Sequence, residues 1–181
     1  MNINDDIKYI LLSEEELENK CKELGARLSK DYEGKEPIFL VLLKGAVNFS
    51  TVLGKYITIP MEFDYMKPSS YDGTKSTGKV TFKVLPSLDL NNRHVVIVED
   101  IIDSGLTLSE VDKLLRQTYK LKSLEVITLL DKKERRKVVY NPKYNCFDIP
   151  DEFVVGYGLD YNEKYRNLPY IGVLKEEVYN K

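Results

Sequence analysis

Residues Val95–Thr107 read VVIVEDIIDSGLT, and the fold of this chain is decided there. The four apolar residues Val95–Val98 form a short run without polar alternation, which suits a strand covered on both faces in a parallel sheet. Glu99-Asp100 leaves that strand, and Asp103-Ser104-Gly105-Leu106-Thr107 turns into the next helix. In open α/β sheets, ligands gather beyond the carboxyl ends of the strands, where these acids fall. A turn carrying Ser104, Gly105 and Thr107 offers backbone N–H groups and hydroxyls at a helix N-terminus, where the dipole favours an anion. Gly105 has no Cβ, so the backbone can approach a phosphate closely. Adjacent carboxylates can accept hydrogen bonds from a vicinal diol or help hold a divalent cation. Together these parts suit a ribose 5-phosphate. Taken alone, the acidic pair also fits a solvated strand end, and Asp103-Ser104 a helix N-cap. Three acids around an apolar element carry a desolvation cost that cations or hydroxyls must offset, which favours the functional reading.

Working outward, Ser13 and Glu16 have capping-box spacing, and Leu17, Cys21, Leu24 and Leu28 follow at helical intervals. Pro37–Leu43 is a second continuous apolar run, and Lys44-Gly45-Ala46 turns it into a helix through about Tyr56. Ile57–Met66 reads as a strand, Lys67–Gly78 as a long polar loop, and Lys79–Leu85 alternates in strand fashion. After His94–Val98 a helix is expected to about Tyr119, then a strand over Leu121–Leu130. Phe153–Tyr157 and Tyr170–Leu174 read as further strands, separated by the polar, aromatic run DYNEKYRN. Strands alternating with helices predict an α/β fold with a mainly parallel central sheet flanked by helices.

The 181 residues suffice for one domain with a sizeable core. With 43% apolar and 31% charged residues the profile is that of a soluble globular protein. A net charge of −2 argues against general nucleic-acid binding, and no run approaches the length of a membrane helix. The N-terminus lacks a basic segment before an apolar core, so the cytoplasm is the expected compartment. Cys21 and Cys146 sit far apart without metal-ligand spacing, which argues against a disulfide scaffold or structural zinc. His94 is the only histidine and falls where a strand begins, so a structural role is expected. Acid–base chemistry must then come from carboxylates, lysines or tyrosines.

VVIVEDIIDSGLTL resembles the phosphoribosyl-pyrophosphate signature of the type I phosphoribosyltransferases. From about Pro37 to Leu174 the chain resembles their hypoxanthine-guanine branch. The resemblance implies the type I phosphoribosyltransferase fold as one domain over residues 1–181. It adds a small hood from the terminal segments, a mobile loop at 67–78 and a purine-binding region at about 150–170. It implies transfer of the 5-phosphoribosyl group from phosphoribosyl pyrophosphate to hypoxanthine or guanine, with Mg²⁺ as cofactor and a homodimer or homotetramer as the assembly. The ribose-phosphate site would comprise Glu99, Asp100, Asp103, Ser104, Gly105, Leu106 and Thr107. Leu43-Lys44-Gly45, whose Leu-Lys peptide can be cis in the family, and Arg166 would contact pyrophosphate. Ser70-Tyr71 would lie on a flap that closes over the reaction centre. Lys132 would donate to the 6-oxo group, Phe153 would stack on the purine, and the Val154 backbone would recognise the ring edge. Asp160, in the same purine-binding group, would join Glu99 and Asp100 around Mg²⁺.

Within that scheme Asp103 is the candidate general base, taking the N7 proton as N9 attacks the anomeric carbon. A regulator that senses phosphoribosyl pyrophosphate without turnover is the rival reading, disfavoured because a sensor needs neither base nor water-excluding flap. Adenine lacks the 6-oxo acceptor for Lys132, whereas xanthine remains open beside hypoxanthine and guanine.

Overall fold

The computed structural model describes residues 2–69 and 81–180. In chain order the main elements are β1 (Ile7–Leu12), α1 (Glu14–Asp31), β2 (Ile38–Leu42), α2 (Ala46–Gly54), β3 (Glu62–Ser69), β4 (Thr81–Val84), β5 (His94–Ile102) and α3 (Leu106–Thr118). They continue as β6 (Ser123–Asp131), β7 (Tyr144–Asp148), β8 (Val154–Val155), β9 (Ile171–Leu174) and α4 (Glu176–Tyr179). Six strands form the central sheet in the order β4-β3-β2-β5-β6-β7. All neighbours are parallel except the β3–β4 pair at one edge. The crossover from β2 leads outward through α2 to β3, and that from β5 leads the other way through α3 to β6. The carboxyl ends of β2 and β5 therefore flank a topological switch point, where such sheets leave a crevice.

Period-two alternation divides the core. From β2 and β5, Phe39, Val41, Val96 and Val98 face Leu17, Cys21, Leu24 and Leu28 of α1 and Phe49 and Leu53 of α2. Ile38, Leu40, Val95 and Ile97 point the other way, onto Leu108, Val111 and Leu115 of α3. Every residue of β2 is buried, as a strand covered on both faces requires. Truncating a fully buried side chain such as Leu40 to Ala would cost about 2–5 kcal/mol. The expected capping box starts α1: Glu16 N–H donates to Ser13 Oγ (3.3 Å) and Ser13 N–H to Glu16 Oε2 (2.8 Å). Cys21 and Cys146 are free thiols. Among the described residues no helix is long and apolar enough to cross a membrane.

The hood is a separate antiparallel sheet, ordered β1-β9-β8, with its own small core of Val155, Tyr165, Leu168 and Leu174. The sequence reading missed β1 and β7. Three of the six residues of β1 are exposed and none is buried, so its IKYILL lacks a core-strand pattern. β7 is a partly exposed edge strand of mixed polarity. The expected strand Ile57–Met66 starts only at Glu62, after Pro60, which has no N–H for a ladder. It also runs through Ser69, so residues 67–69, expected as loop, pair antiparallel with β4.

Candidate active site

A cavity of about 290 Å³ opens at the switch point, lined by the ends of β2 and β5, the turn into α3 and the segment around Asp160 and Arg166. Pro68, near the end of β3, adds one wall. Glu99 is buried and Asp100 partly so. Desolvation by burial pushes both carboxyls above the usual carboxylate range, and on Glu99 the neighbouring Asp100 charge adds to it. At Asp100 that rise is opposed by the hydrogen bond with the Glu99 side chain, by backbone hydrogen bonds and by the Arg166 charge. The turn beyond them is held by Gly105 at φ 80°, the left-handed region, directly before the first residue of α3. Leu106 N–H donates to Ser104 Oγ at 3.3 Å, while the Leu106 side chain is exposed. This first turn presents backbone N–H groups without intrahelical partners, a natural anion cradle.

The loop after β2 faces the acidic pair. The Leu43–Lys44 peptide is cis. Gly45 presses on Asp100: a Cβ at residue 45 would lie 1.6 Å from Asp100 Oδ2. On its other side the Gly45 carbonyl meets the backbone of Gly158 in the hood. Lys44 Nζ pairs with Glu163 Oε2 at 2.9 Å. Arg166 pairs with Asp160 Oδ1 (2.7 Å) and Glu163 Oε2 (3.1 Å), and its guanidinium donates to the Gly158 carbonyl at 2.7 Å. Its Nε is buried and unpartnered. Tyr157, Asn162, Glu163 and Tyr165 all hold positive φ in this stretch, conformations that cluster where ligands are clamped.

Lys132, Phe153 and Val154 do not line that cavity. Lys132 is buried, its N–H donates to the Ile102 carbonyl (2.9 Å), and its Nζ lies 3.7 Å from Asp151 Oδ1. Val154 is buried within β8. Phe153 is 38% exposed; Tyr179 of α4 stacks on it at 4.8 Å and 18°, and Tyr161 meets it edge-on. Ser70 and Tyr71 lie outside the described residues. His94 sits at the far end of β5, its Nδ1 2.8 Å from Ser123 Oγ, in keeping with a structural role.

The sequence reading missed what backs the turn into α3, the segment Lys133–Val138. Arg135 Nε lies 3.1 Å from Asp103 Oδ1. Arg136 pairs with the buried Asp131 and donates to the Asp103 carbonyl at 3.3 Å. The backbone N–H groups of Lys137 and Val138 both donate to the Ser104 carbonyl, at 2.9 and 3.3 Å. In sequence, DKKERRK reads as a solvated charge run, which concealed these contacts.

For a divalent cation, the structure brings Glu99 and Asp100 together but leaves Asp160 engaged by Arg166 and by Glu163 N–H (2.9 Å). Among the described residues no group of three metal-binding side chains is assembled. Two desolvated carboxylates, all-oxygen donors with raised proton affinity, still fit a hard cation whose remaining ligands come from substrate and water.

The model of the Phosphoribosyl transferase domain matches residues 10–162. The chain is 50% identical to hypoxanthine-guanine phosphoribosyltransferase of Streptococcus pneumoniae over 179 residues, covering 98% of this chain and 99% of that one. A crystal structure of hypoxanthine phosphoribosyltransferase from Staphylococcus aureus superposes with a TM-score of 0.94 at 49% identity, covering 99% of this chain and 97% of that one. A Bacillus anthracis hypoxanthine-guanine phosphoribosyltransferase, with a HEPES molecule in its active site, gives 0.88 at 44% identity over 94% and 98% of the two chains.

Proposed function

The chain belongs to the hypoxanthine-guanine phosphoribosyltransferases of the phosphoribosyl transferase domain family, and from that premise we propose how its residues perform the transfer. The protein is a purine-salvage enzyme that moves the 5-phosphoribosyl group from phosphoribosyl pyrophosphate to hypoxanthine or guanine, releasing pyrophosphate. One observation carries the site assignment: a single cavity is lined by the acidic pair Glu99-Asp100, the turn Ser104-Gly105-Thr107 and the loop Leu43-Lys44-Gly45.

The 5-phosphate takes the backbone N–H groups and hydroxyls of residues 104–107 at the α3 N-terminus, and the ribose hydroxyls donate to Glu99 and Asp100. The Leu43–Gly45 backbone and Arg166 hold the pyrophosphate. Purine N9 attacks C1′, the bond from C1′ to the pyrophosphate oxygen breaks, and the N7 proton passes to the Asp103 carboxylate. The transition state has oxocarbenium character, so fixing ribose and purine at near-attack distance supplies much of the rate. Lys132 donates to the 6-oxo group, Phe153 stacks on the base, and the Val154 backbone reads its edge. The enzyme class calls for a divalent metal; we take it to be Mg²⁺, held by Glu99 and Asp100 with Asp160 contributing through water, where it would neutralise the leaving pyrophosphate.

In this reading residues 1–181 work as one domain, the segment that follows β3 carries Ser70-Tyr71 as the water-excluding flap, and the purine lies against residues 150–170. That Pro68 lines the cavity supports the flap. We further assign a cytoplasmic homodimer or homotetramer. Incubating the protein with hypoxanthine, Mg²⁺ and phosphoribosyl pyrophosphate should yield inosine monophosphate and pyrophosphate. Failure at any enzyme concentration would sink the assignment, and kcat/KM across hypoxanthine, guanine and xanthine ranks the bases.

A further inference from the structure

Arg135 stands between the two halves of the chemistry. Its Nε lies 3.1 Å from Asp103 Oδ1, and its NH1 lies 3.6 Å from Asp151 Oδ1, the same oxygen that faces Lys132 Nζ at 3.7 Å. Half of the Arg135 side chain is exposed, and ion pairs in such a setting add little to stability. The contact to Asp103 is also unusual in kind. Oδ1 is shielded from solvent within a half-exposed carboxylate, yet it has no hydrogen-bond partner. The guanidinium is thus close enough to fix the carboxylate by charge, but too poorly aligned to occupy its lone pair. A carboxylate anchored through its shielded Oδ1 keeps the exposed remainder of the group, Oδ2, for an incoming N–H.

We propose that Arg135 is the positioning residue for the Asp103 carboxylate and that, through Asp151, it ties that carboxylate to Lys132. The inference rests on Asp103 being the general base. The arrangement aims two groups at adjacent atoms of one purine: the Lys132 ammonium at the 6-oxo oxygen and the Asp103 carboxylate at N7. Asp151 is the shared counter-ion that balances the two cations, so the donor and the acceptor for the base are set relative to each other before it arrives.

The test is steady-state kinetics on Arg135→Gln, Arg135→Lys, Asp151→Asn and Asp103→Asn, with Arg135→Gln also made in the Asp103→Asn background. Arg135→Gln should lower kcat about tenfold or more while moving the KM for phosphoribosyl pyrophosphate by less than about twofold. Arg135→Lys should recover kcat to within about threefold of the parent, because the contact to Asp103 is one of charge rather than of an aligned hydrogen bond and an ammonium carries the same charge. In the Asp103→Asn background, Arg135→Gln should cost less than about twofold, since Arg135 acts through Asp103. Asp151→Asn should lower kcat and raise the hypoxanthine KM together. Parental kcat in Arg135→Gln, a lysine variant no better than the glutamine one, or equal losses in both backgrounds would overturn the role of Arg135. Parental behaviour of Asp151→Asn would remove the tie to Lys132. Parental kcat in Asp103→Asn would instead overturn the base assignment itself, and with it the inference; an inactive Asp103→Asn beside an unimpaired Arg135→Gln overturns the inference alone.

Discussion

The Asp100 carboxylate occupies the space in which a side chain at Gly45 would begin: a Cβ there would sit 1.6 Å from Oδ2. No rotation of a residue-45 side chain avoids this, because the collision is with its first atom, and retreat is blocked by the hood backbone at Gly158. Gly45→Ala should therefore displace either the Leu43–Gly45 loop or the Asp100 carboxylate, to which we assign pyrophosphate and ribose. Turnover should fall by about 100-fold with a raised KM for phosphoribosyl pyrophosphate, and the hypoxanthine KM should change far less. Parental kinetics would show that the contact relaxes freely.

Asp103→Asn removes the proton acceptor while keeping the shape of the turn. A loss in kcat of about 10²–10⁴ is expected, with little change in affinity for phosphoribosyl pyrophosphate measured by calorimetry. Unchanged turnover would exclude Asp103 as the base.

Lys132 is buried and Phe153 half exposed, and both lie away from the phosphate cavity. Lys132→Ala and Phe153→Ala should each raise the hypoxanthine KM, by about tenfold or more for Lys132 given a lost charged hydrogen bond. The KM for phosphoribosyl pyrophosphate should hold. A hypoxanthine KM that does not move would refute the purine-binding roles.

Burial raises the proton affinity of Glu99 and Asp100 in the fold above their ordinary values of 4.5 and 3.8. Their contribution to stability is fully present below those ordinary values and is lost as pH rises through the raised folded ones. At higher pH the pair is ionised and mutually repulsive, which a bound cation offsets. Mg²⁺ should accordingly raise Tm more at about pH 8 than at about pH 5. Equal Tm shifts at both pH values, or none in the parent, would exclude this pair as the cation site.

Asp131 is almost fully buried, and the Arg136 guanidinium is its partner. Arg136→Met should leave that carboxylate uncompensated and cost about 3–5 kcal/mol in denaturant unfolding. The double change Asp131→Leu with Arg136→Met should recover most of the loss. An unaltered midpoint in the single variant would mean that Asp131 finds another partner.

Legibility in the sequence followed contiguity. The strand and turn at Val95–Thr107 could be read because acids, glycine and hydroxyls that line one cavity lie side by side in the chain. The burial of β2 and the α1 capping box were local patterns as well. Lys132, Phe153 and Arg166 were reached through resemblance to a family rather than through periodicity, since each taken singly looks like a solvated charge or a core aromatic. Arg135, Asp151 and Tyr179 escaped notice because their meaning is created by contacts across the fold, to Asp103, Lys132 and Phe153. β1 escaped for a different reason: its stability comes from pairing with β9, and its exposed residues carry no core pattern.

The backbone bonds from Lys137 and Val138 to the Ser104 carbonyl, together with the bond from Lys132 N–H to the Ile102 carbonyl, pin both ends of one short stretch to the end of β5 and the turn that follows it. That stretch works as a ruler. Its length in residues sets how Arg135 meets Asp103 and Arg136 meets Asp131, while the β5–β6 ladder holds Lys132 beside Ile102. Inserting or deleting one residue between Lys132 and Lys137 would carry Arg135 and Arg136 off Asp103 and Asp131 together, a larger change than either side-chain substitution alone.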